Sequence, residues 1–363
     1  MPALRALRMR AQGLAGPPAS GVAEAVRAAG AIQAQDTPSS RLGVRARSVG
    51  LRVDDVVRAC DQERSVVRTW AMRGTIHMIP IEDARWMTAL LGPTHAARYA
   101  RRRRELGIDD DLAERALAAM GRILGGRGPL LRDDLMDAIE ASGVPLDRSG
   151  QMPAHLISLA AFRGLVCRGP DPAAGGGSTV ALADDWLPPG APRELDAALE
   201  ELALRFVRAY GAVGARDLAY WSGLPAAMAR RGMESIGGRL TEVASPCGPL
   251  WILGAPPEPG EGPPGVRLVP AFDGALLGHR DRTPLMGDRA FAEVTAGSWI
   301  LPTVLAGGRI VATWRPRWTT GAVSVEVTPL EPLDEALLPD LRAEAEDVGR
   351  FLGLTPELEI LTP

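Results

Sequence analysis

The 363-residue sequence predicts an α+β protein: three tandem winged helix-turn-helix units followed by a C-terminal β-barrel-like domain. Three observations predict it. A helix, helix, helix, hairpin order recurs three times, as a pattern rather than as repeated letters. The Pro- and Gly-rich run from Ala255 to Gly265 can hold neither a helix nor a central strand and reads as a linker. Beyond it Val304, Ile310, Val311, Val323, Val325 and Val327 alternate with small or polar residues, the period of a half-buried strand. The implied domains are 1–108, a basic unit; 109–190 and 191–256, two further winged helices; and 257–363, the β-rich domain.

In the first unit Ala3–Leu14 and Gly21–Ala29 read as helices, the second capped by Ser20 and stopped by Gly30. Val53–Ala59 is a third, ahead of strands at Ser65–Met72 and Thr75–Pro80. The second unit is the clearest. Leu112–Leu124 and Leu131–Ala141 read as its first two helices, with Asp133 and Asp134 in the first turn of the latter, where acidic groups suit the helix dipole. Met152–Arg163 is the third, Leu156, Leu159 and Ala160 marking one face, and Gly164 ends it. Leu165–Cys167 and Thr179–Leu182 form a wing whose loop holds the flexible turn Gly175-Gly176-Gly177. The third unit runs through helices at Glu194–Tyr210, Ala215–Trp221 and Pro225 to about Gly237, then a hairpin of Arg239–Val243 and Leu250–Leu253. An acidic helix from about Pro332 to Leu352 closes the last domain, solvated on one face and packed on the sheet with the other.

Charge is strongly polarised. Residues 1–108 hold 18 Arg against 9 Asp and Glu, a local net of +9, so the other 255 residues carry −12 to reach the chain's −3. A concentrated basic face is the electrostatic footprint of a phosphate backbone. The basic residues are all arginine, a bias that a GC-rich genome would also write. Without lysine there is no lysine Schiff base, so an enzyme of this sequence that cuts a glycosidic bond uses water; the one other amine to weigh is Pro2, if Met1 is removed.

Other chemistries find no footing in the sequence. Cys60, Cys167 and Cys247 are far apart, and His77, His95, His155 and His279 lack the i,i+4 spacing of a metal pair, so neither disulfide, metal nor cofactor is expected and a reducing cytoplasm fits. No GxxxxGK[ST], GxSxG or HExxH occurs. The first 30 residues hold an amphipathic helix and no long apolar run, which argues against a secretory signal or a membrane span.

The informative motifs are Ile32-Gln33-Ala34-Gln35-Asp36-Thr37-Pro38, then Ala46-Arg47, then Thr69-Trp70-Ala71-Met72-Arg73-Gly74-Thr75-Ile76-His77, and downstream the run from Leu268 to Arg282 with His279-Arg280-Asp281-Arg282 at its end. In this order they resemble the AlkZ-type bacterial DNA glycosylases, over essentially the whole chain. The resemblance implies tandem winged helices, a Gln-x-Gln active-site motif matched by Gln33 and Gln35, and substrates that are N7-alkylated guanines, including bulky natural-product adducts and interstrand crosslinks. Gln rather than Asp at position 35 resembles the branch associated with bulky-adduct repair in antibiotic producers. DNA contacts are expected from Arg47, Arg73, His77, Arg101, Arg102, Arg103, Arg104, His279, Asp281 and Arg282, on double-stranded DNA and from a monomer. Arg280 stands where a small residue is expected, and Gly278 where a serine is.

The chemistry is consistent with that resemblance. Alkylation at N7 makes guanine cationic and already a good leaving group. What remains is to place water beneath C1′ and to face an oxocarbenium-like sugar, which an amide oxygen does as an acceptor. Several residues keep two readings. An isolated glutamine pair also caps helix ends; Asp36 is a structural cap or an Arg partner, pointing away if Gln33 and Gln35 share a face. His77 is a core histidine or a site residue. His279, Asp281 and Arg282 form either a polar turn between strands aimed at the minor groove or a salt-bridged turn. Arg98 and Arg101 to Arg104 are a solvated face or a phosphate-tracking stripe. The alternative function is a non-catalytic winged-helix regulator or drug-sequestering protein. Against it, Met152–Arg163 offers only His155 and Arg163 as long polar side chains for reading bases.

Overall fold

The computed structural model describes residues 1–361 except 149, 173–176, 191–192, 247 and 256–264, so most of the expected linker, Gly175-Gly176 and Cys247 lie outside the described residues. Helices and strands are mixed, as expected. The N-terminal part comprises α1 (Pro2–Ala11), α2 (Val22–Ala28), β1 (Ile32–Gln33), α3 (Thr37–Arg45), α4 (Val53–Asp61), β2 (Val66–Trp70), β3 (Ile76–Pro80), α5 (Ala84–Arg98) and α6 (Ala100–Glu105). Next come α7 (Asp110–Arg127), α8 (Arg132–Ala141), α9 (Met152–Phe162), β4 (Val166–Arg168), β5 (Val180–Leu182) and α10 (Ala183–Trp186). They are followed by α11 (Leu195–Tyr210), α12 (Ala215–Ser222), α13 (Ala226–Ser235), β6 (Leu240–Val243) and β7 (Leu250–Leu253).

Several local expectations change. Helices α3, α5 and α10 were not foreseen, although the signals of α3 are plain: Asp36 accepts from the Ser39 N–H at 2.9 Å as N-cap, and Pro38 sits in the first turn. At α2 the expected cap is reversed. Gly21 occupies the N-cap position, and Ser20 donates its backbone N–H and its hydroxyl to the Glu24 carboxylate.

The hairpins of the first two parts do not stand apart as two wings. They join one five-stranded sheet in the order β1, β3, β2, β4, β5, with Arg68 of β2 facing Arg168 of β4 across the seam. The C-terminal part begins with β8 (Val266–Val269), α14 (Gly274–Leu277) and α15 (Thr283–Met286), then the short hairpin β9 (Thr295–Ala296) and β10 (Trp299–Ile300). Strands β11 (Thr303–Ala306), β12 (Arg309–Thr319) and β13 (Ala322–Pro329), helix α16 (Leu338–Leu352) and β14 (Thr355–Ile360) complete the chain. The sheet order is β14, β13, β12, β11, β8, with β14 parallel to β13, and its outer strands do not pair with each other. It is an open, half-barrel sheet rather than a closed barrel. Helix α16 lays Leu341, Ala345, Val348 and Phe351 on it and turns its acidic face outward.

The cores tie the candidate site in place. Val66 and Met78 of the N-terminal hairpin share a core with Leu268, Trp314, Val325 and Phe351 of the C-terminal sheet. Ala71 and Met72, at the turn of that hairpin, share another with Leu202, Phe206 and Trp221. Each fully buried Val, Leu, Met or Phe side chain contributes about 1.5–3 kcal/mol, so the hairpin is held at its strands by one core and at its turn by the other.

Candidate active site

Strand β1 is only two residues long and lies at an edge of the five-stranded sheet, Gln33 opposite His77 of β3. The Ala34 N–H then donates to the Ile76 carbonyl at 2.8 Å, keeping the backbone extended for one more residue. In extended chain alternate side chains share a face, so Gln33 and Gln35 lie together while Ala34 is buried. The Asp36 cap of α3 pins the backbone directly after Gln35.

The two amides touch. Gln33 Nε2 donates to Gln35 Oε1 at 3.2 Å, and Arg73 Nη2 donates to Gln33 Oε1 at 3.2 Å. The other end of that guanidinium donates to the Trp221 carbonyl at 2.9 Å. Arg73 has φ 57 and ψ 9, a left-handed conformation that non-glycine residues rarely adopt, and sits in the turn between β2 and β3. Gly223 presses on it so closely that a Cβ there would stand 3.0 Å from Arg73 Cα. Burial pushes the Arg73 pKa down; Tyr210 and Tyr220 oppose this and Arg282 adds to it. No described carboxylate forms an ion pair with Arg73.

Gln35 is exposed and forms part of the wall of a cleft of about 540 Å³, together with Arg68, Arg132, Asp133, Asp134 and Arg168. Arg68 is buried and held by Asp171 at 2.7 Å and by the Gly169 carbonyl. Arg168 lies 4.9 Å from the Trp70 ring, and burial pushes its pKa down to about 10. Arg68 is ion-paired with Asp171 and α8 opens on Arg132 beside Asp133 and Asp134, so the cleft wall carries both signs of charge together with the Gln35 amide. Sequence reading missed Arg68, Arg168 and the Trp221 carbonyl. Only the oddity of two arginines on apolar strands signalled the first two.

Several expected DNA contacts are internal, and the structure corrects them. Arg47 is 1% exposed: it binds Asp273 through two 2.8 Å bonds, and its Nε reaches the Gln12 carbonyl. Burial works against its charge, but the Asp273 carboxylate outweighs this and raises its pKa. Such a guanidinium braces α3 against the segment before α14 and cannot reach a phosphate. His77 is also buried, its Nδ1 3.0 Å from the Thr75 carbonyl. Burial, with Arg73 adding to it, pushes its pKa down to about 3, so the ring is neutral and donates from Nδ1.

His279 is 1% exposed and sits edge-on to Tyr210, burial holding its pKa well below the ordinary value. The 278–282 segment is no hairpin tip; it joins α14 to α15. Asp281 is exposed and accepts from the Thr283 N–H at 2.9 Å. Arg282 donates to the Tyr220 hydroxyl and the Leu276 carbonyl, its guanidinium 3.9 Å from the Phe291 ring centroid. The Gly278 departure has a physical reason: a Cβ there would stand 1.9 Å from the Tyr210 ring.

The Arg101–Arg104 run occupies α6. Arg101 is 88% exposed and pairs with Glu105, Arg102 bonds Glu105 and Gln151, Arg104 is exposed, and Arg103 turns inward to the Ala96 carbonyl. Three of the four thus face solvent. Among the described residues no group of three or more His, Cys, Asp or Glu is placed to hold a metal, and no helix is long and apolar enough to cross a membrane. Cys60 and Cys167 are buried, and burial pushes their thiols up to about 11 and about 12.

Residues 26–351 match the family model described as DNA glycosylase AlkZ-like. An interstrand DNA cross-link repair glycosylase of Streptomyces sahachiroi is 27% identical over 344 residues, covering 89% of each chain. The solved structure of the Streptomyces sahachiroi DNA glycosylase AlkZ superposes with a TM-score of 0.81 at 25% identity, covering 100% of this chain and 99% of that one.

Proposed function

The chain belongs to the AlkZ-like DNA glycosylase family, and from that premise we propose that it hydrolyses the N-glycosidic bond of bulky N7-alkylguanine adducts in duplex DNA. Interstrand crosslinks are included, as the name of the Streptomyces sahachiroi relative says of that protein. The role is self-resistance to a genotoxic natural product, exercised by a cytoplasmic monomer without cofactor. The observation that carries this reading is the amide pair: Gln33 and Gln35 share one face, bonded at 3.2 Å, beside a cleft with arginines in its wall. The three helix-rich parts with their hairpins are read as tandem winged helices that bring this face to the duplex.

The mechanism asks little of the protein as an acid, because the alkylated base leaves as a neutral purine. Gln35 Oε1 accepts one hydrogen bond from Gln33 and keeps a second lone pair, which holds the attacking water beneath C1′ and faces the developing oxocarbenium charge. Gln33 holds the phosphate or sugar beside it. His77, neutral and turned to Thr75, takes no proton in this scheme. With no lysine in the sequence, water is the nucleophile and the product strand carries an intact abasic site.

The test is incubation with duplexes holding a single N7-methylguanine or a bulkier N7-alkylguanine, followed by mass analysis of released base and alkaline cleavage of the strand. Release of the alkylated base with an alkali-labile strand is expected. Tight binding without release would instead favour the non-catalytic, sequestering reading.

A further inference from the structure

We propose that Arg73 is a positioning residue that sets the polarity of the Gln33–Gln35 amide pair. A carboxamide has two nearly isosteric ends, one donor and one acceptor, so two touching glutamines have two arrangements of opposite polarity. In one, Gln33 donates to the oxygen of Gln35; in the other, Gln35 must turn its NH2 toward Gln33. A guanidinium has donors only. With Arg73 Nη2 3.2 Å from the Gln33 amide, Gln33 has to present its oxygen to the arginine, which leaves its NH2 for Gln35. Gln35 then meets Gln33 through its oxygen, whose second lone pair stays available to water.

The setting of Arg73 favours this role over a simple structural one. Its charge is half-buried without an ion-paired carboxylate among the described residues, its backbone holds φ 57, and its second anchor is the Trp221 carbonyl, 148 residues away in sequence. A partly desolvated cation and a left-handed arginine both carry a free-energy cost that persists only where the surroundings enforce it. The surroundings here are Gly223 against its Cα and the Tyr99 hydroxyl bonded to its carbonyl. Arg73 was expected to meet DNA, but this geometry points its guanidinium at the amide pair.

The catalytic consequence rests on the glycosylase reading; the polarity itself does not, and the experiment separates the two. Arg73→Gly removes the guanidinium and suits the positive φ, so it spares the turn. Arg73→Lys keeps a donor-only cation of shorter reach. On a duplex with one N7-methylguanine, single-turnover release by Arg73→Gly should fall roughly 10- to 100-fold, the range set by one hydrogen bond to a charged group. Arg73→Lys should recover part of it. Duplex affinity and its salt dependence should stay at wild type, and in a Gln33→Ala background Arg73→Gly should cost less than about 2-fold more. A log-log salt slope smaller by roughly 0.9, with release at saturating enzyme unchanged, would make Arg73 a phosphate ligand and overturn the proposal. Fully additive losses would overturn it too. The readout independent of activity is the Gln33 side-chain NH2 signal in an ¹⁵N spectrum, assigned with Gln33→Ala. It should move in Arg73→Gly, and an unmoved signal refutes the orienting hydrogen bond. A wild type that releases no base defeats the glycosylase reading and leaves this signal to decide the proposal.

Discussion

At the scale of single residues, activity turns on what an amide can do that a hydrocarbon of the same size cannot. Gln35 is exposed at the mouth of the cleft, and its oxygen already carries one hydrogen bond from Gln33. Gln35→Ala should lower single-turnover base release by on the order of 10² or more, with lesion-duplex affinity within a few-fold. Gln35→Asp should keep partial activity, since a carboxylate still accepts from water and faces a cation. Gln35→Leu keeps roughly the volume and loses the acceptor, so equal excision by wild type and a folded Gln35→Leu would remove the amide pair from the mechanism. Asp36, next in sequence, belongs to a different level of organisation. Its carboxylate is committed to the Ser39 N–H, and it serves the site by holding the chain that carries Gln35.

Among the elements, α6 presents the clearest test of how this protein meets a duplex. Arg101, Arg102 and Arg104 face solvent, but Arg101 and Arg102 are partly neutralised by Glu105. Exposed pairs of this kind contribute at most about 1 kcal/mol, so a phosphate can displace the glutamate. Replacing Arg101 to Arg104 with Ala should therefore weaken binding to undamaged duplex and flatten its salt dependence. The log-log slope should fall by roughly 0.9 for each phosphate left without its arginine, up to three, because Arg103 is turned to the Ala96 carbonyl. A slope unchanged by the fourfold substitution would assign the run to the solvated surface.

Two predictions belong to the whole molecule. The first follows from the missing lysines: borohydride should trap no covalent enzyme–DNA adduct, and a trapped adduct would point to Pro2 and displace the water mechanism. The second follows from three histidines buried in the neutral form. Burial pushes His77 to about 3, His95 to about 4 and His279 well below its ordinary value. Unfolded, each titrates near pH 6.5, so the unfolded chain takes up protons first as the solution is acidified. Their contribution to stability is full above about pH 6.5 and is lost as pH falls toward the folded values. Each ring approaches a slope of about 1.4 kcal/mol per pH unit. Chemical denaturation at pH 7.5, 6 and 5 should show a steep loss over that window. Equal stability at pH 7.5 and 5 would mean that the rings are not buried neutral.

The sequence by itself determined the local elements and the motif. Hydrophobic period, prolines and glycines place α7 to α9, α11 to α13 and the two hairpins of 110–253 within about three residues, though not α10, and the Gln-x-Gln run singles out the segment that bears Gln33. These signals are local: a cap, a stop or an amphipathic face is written within a few neighbouring residues. Helix α3 was legible in the same way, from Asp36 and Pro38, and was overlooked because the same letters also read as part of the glutamine motif. What only the tertiary structure decided is which polar residues face inward. Arg47 reads as one more charge of a basic unit until Asp273, 226 residues away, closes on it. His279 reads as a turn residue until Tyr210 packs on it, and Arg73 as a DNA ligand until the Trp221 carbonyl and Gln33 take both ends of its guanidinium. The type of a side chain is set by its letter, but its charge state and partner depend on burial, and burial is a property of chain segments brought together from far apart in the sequence.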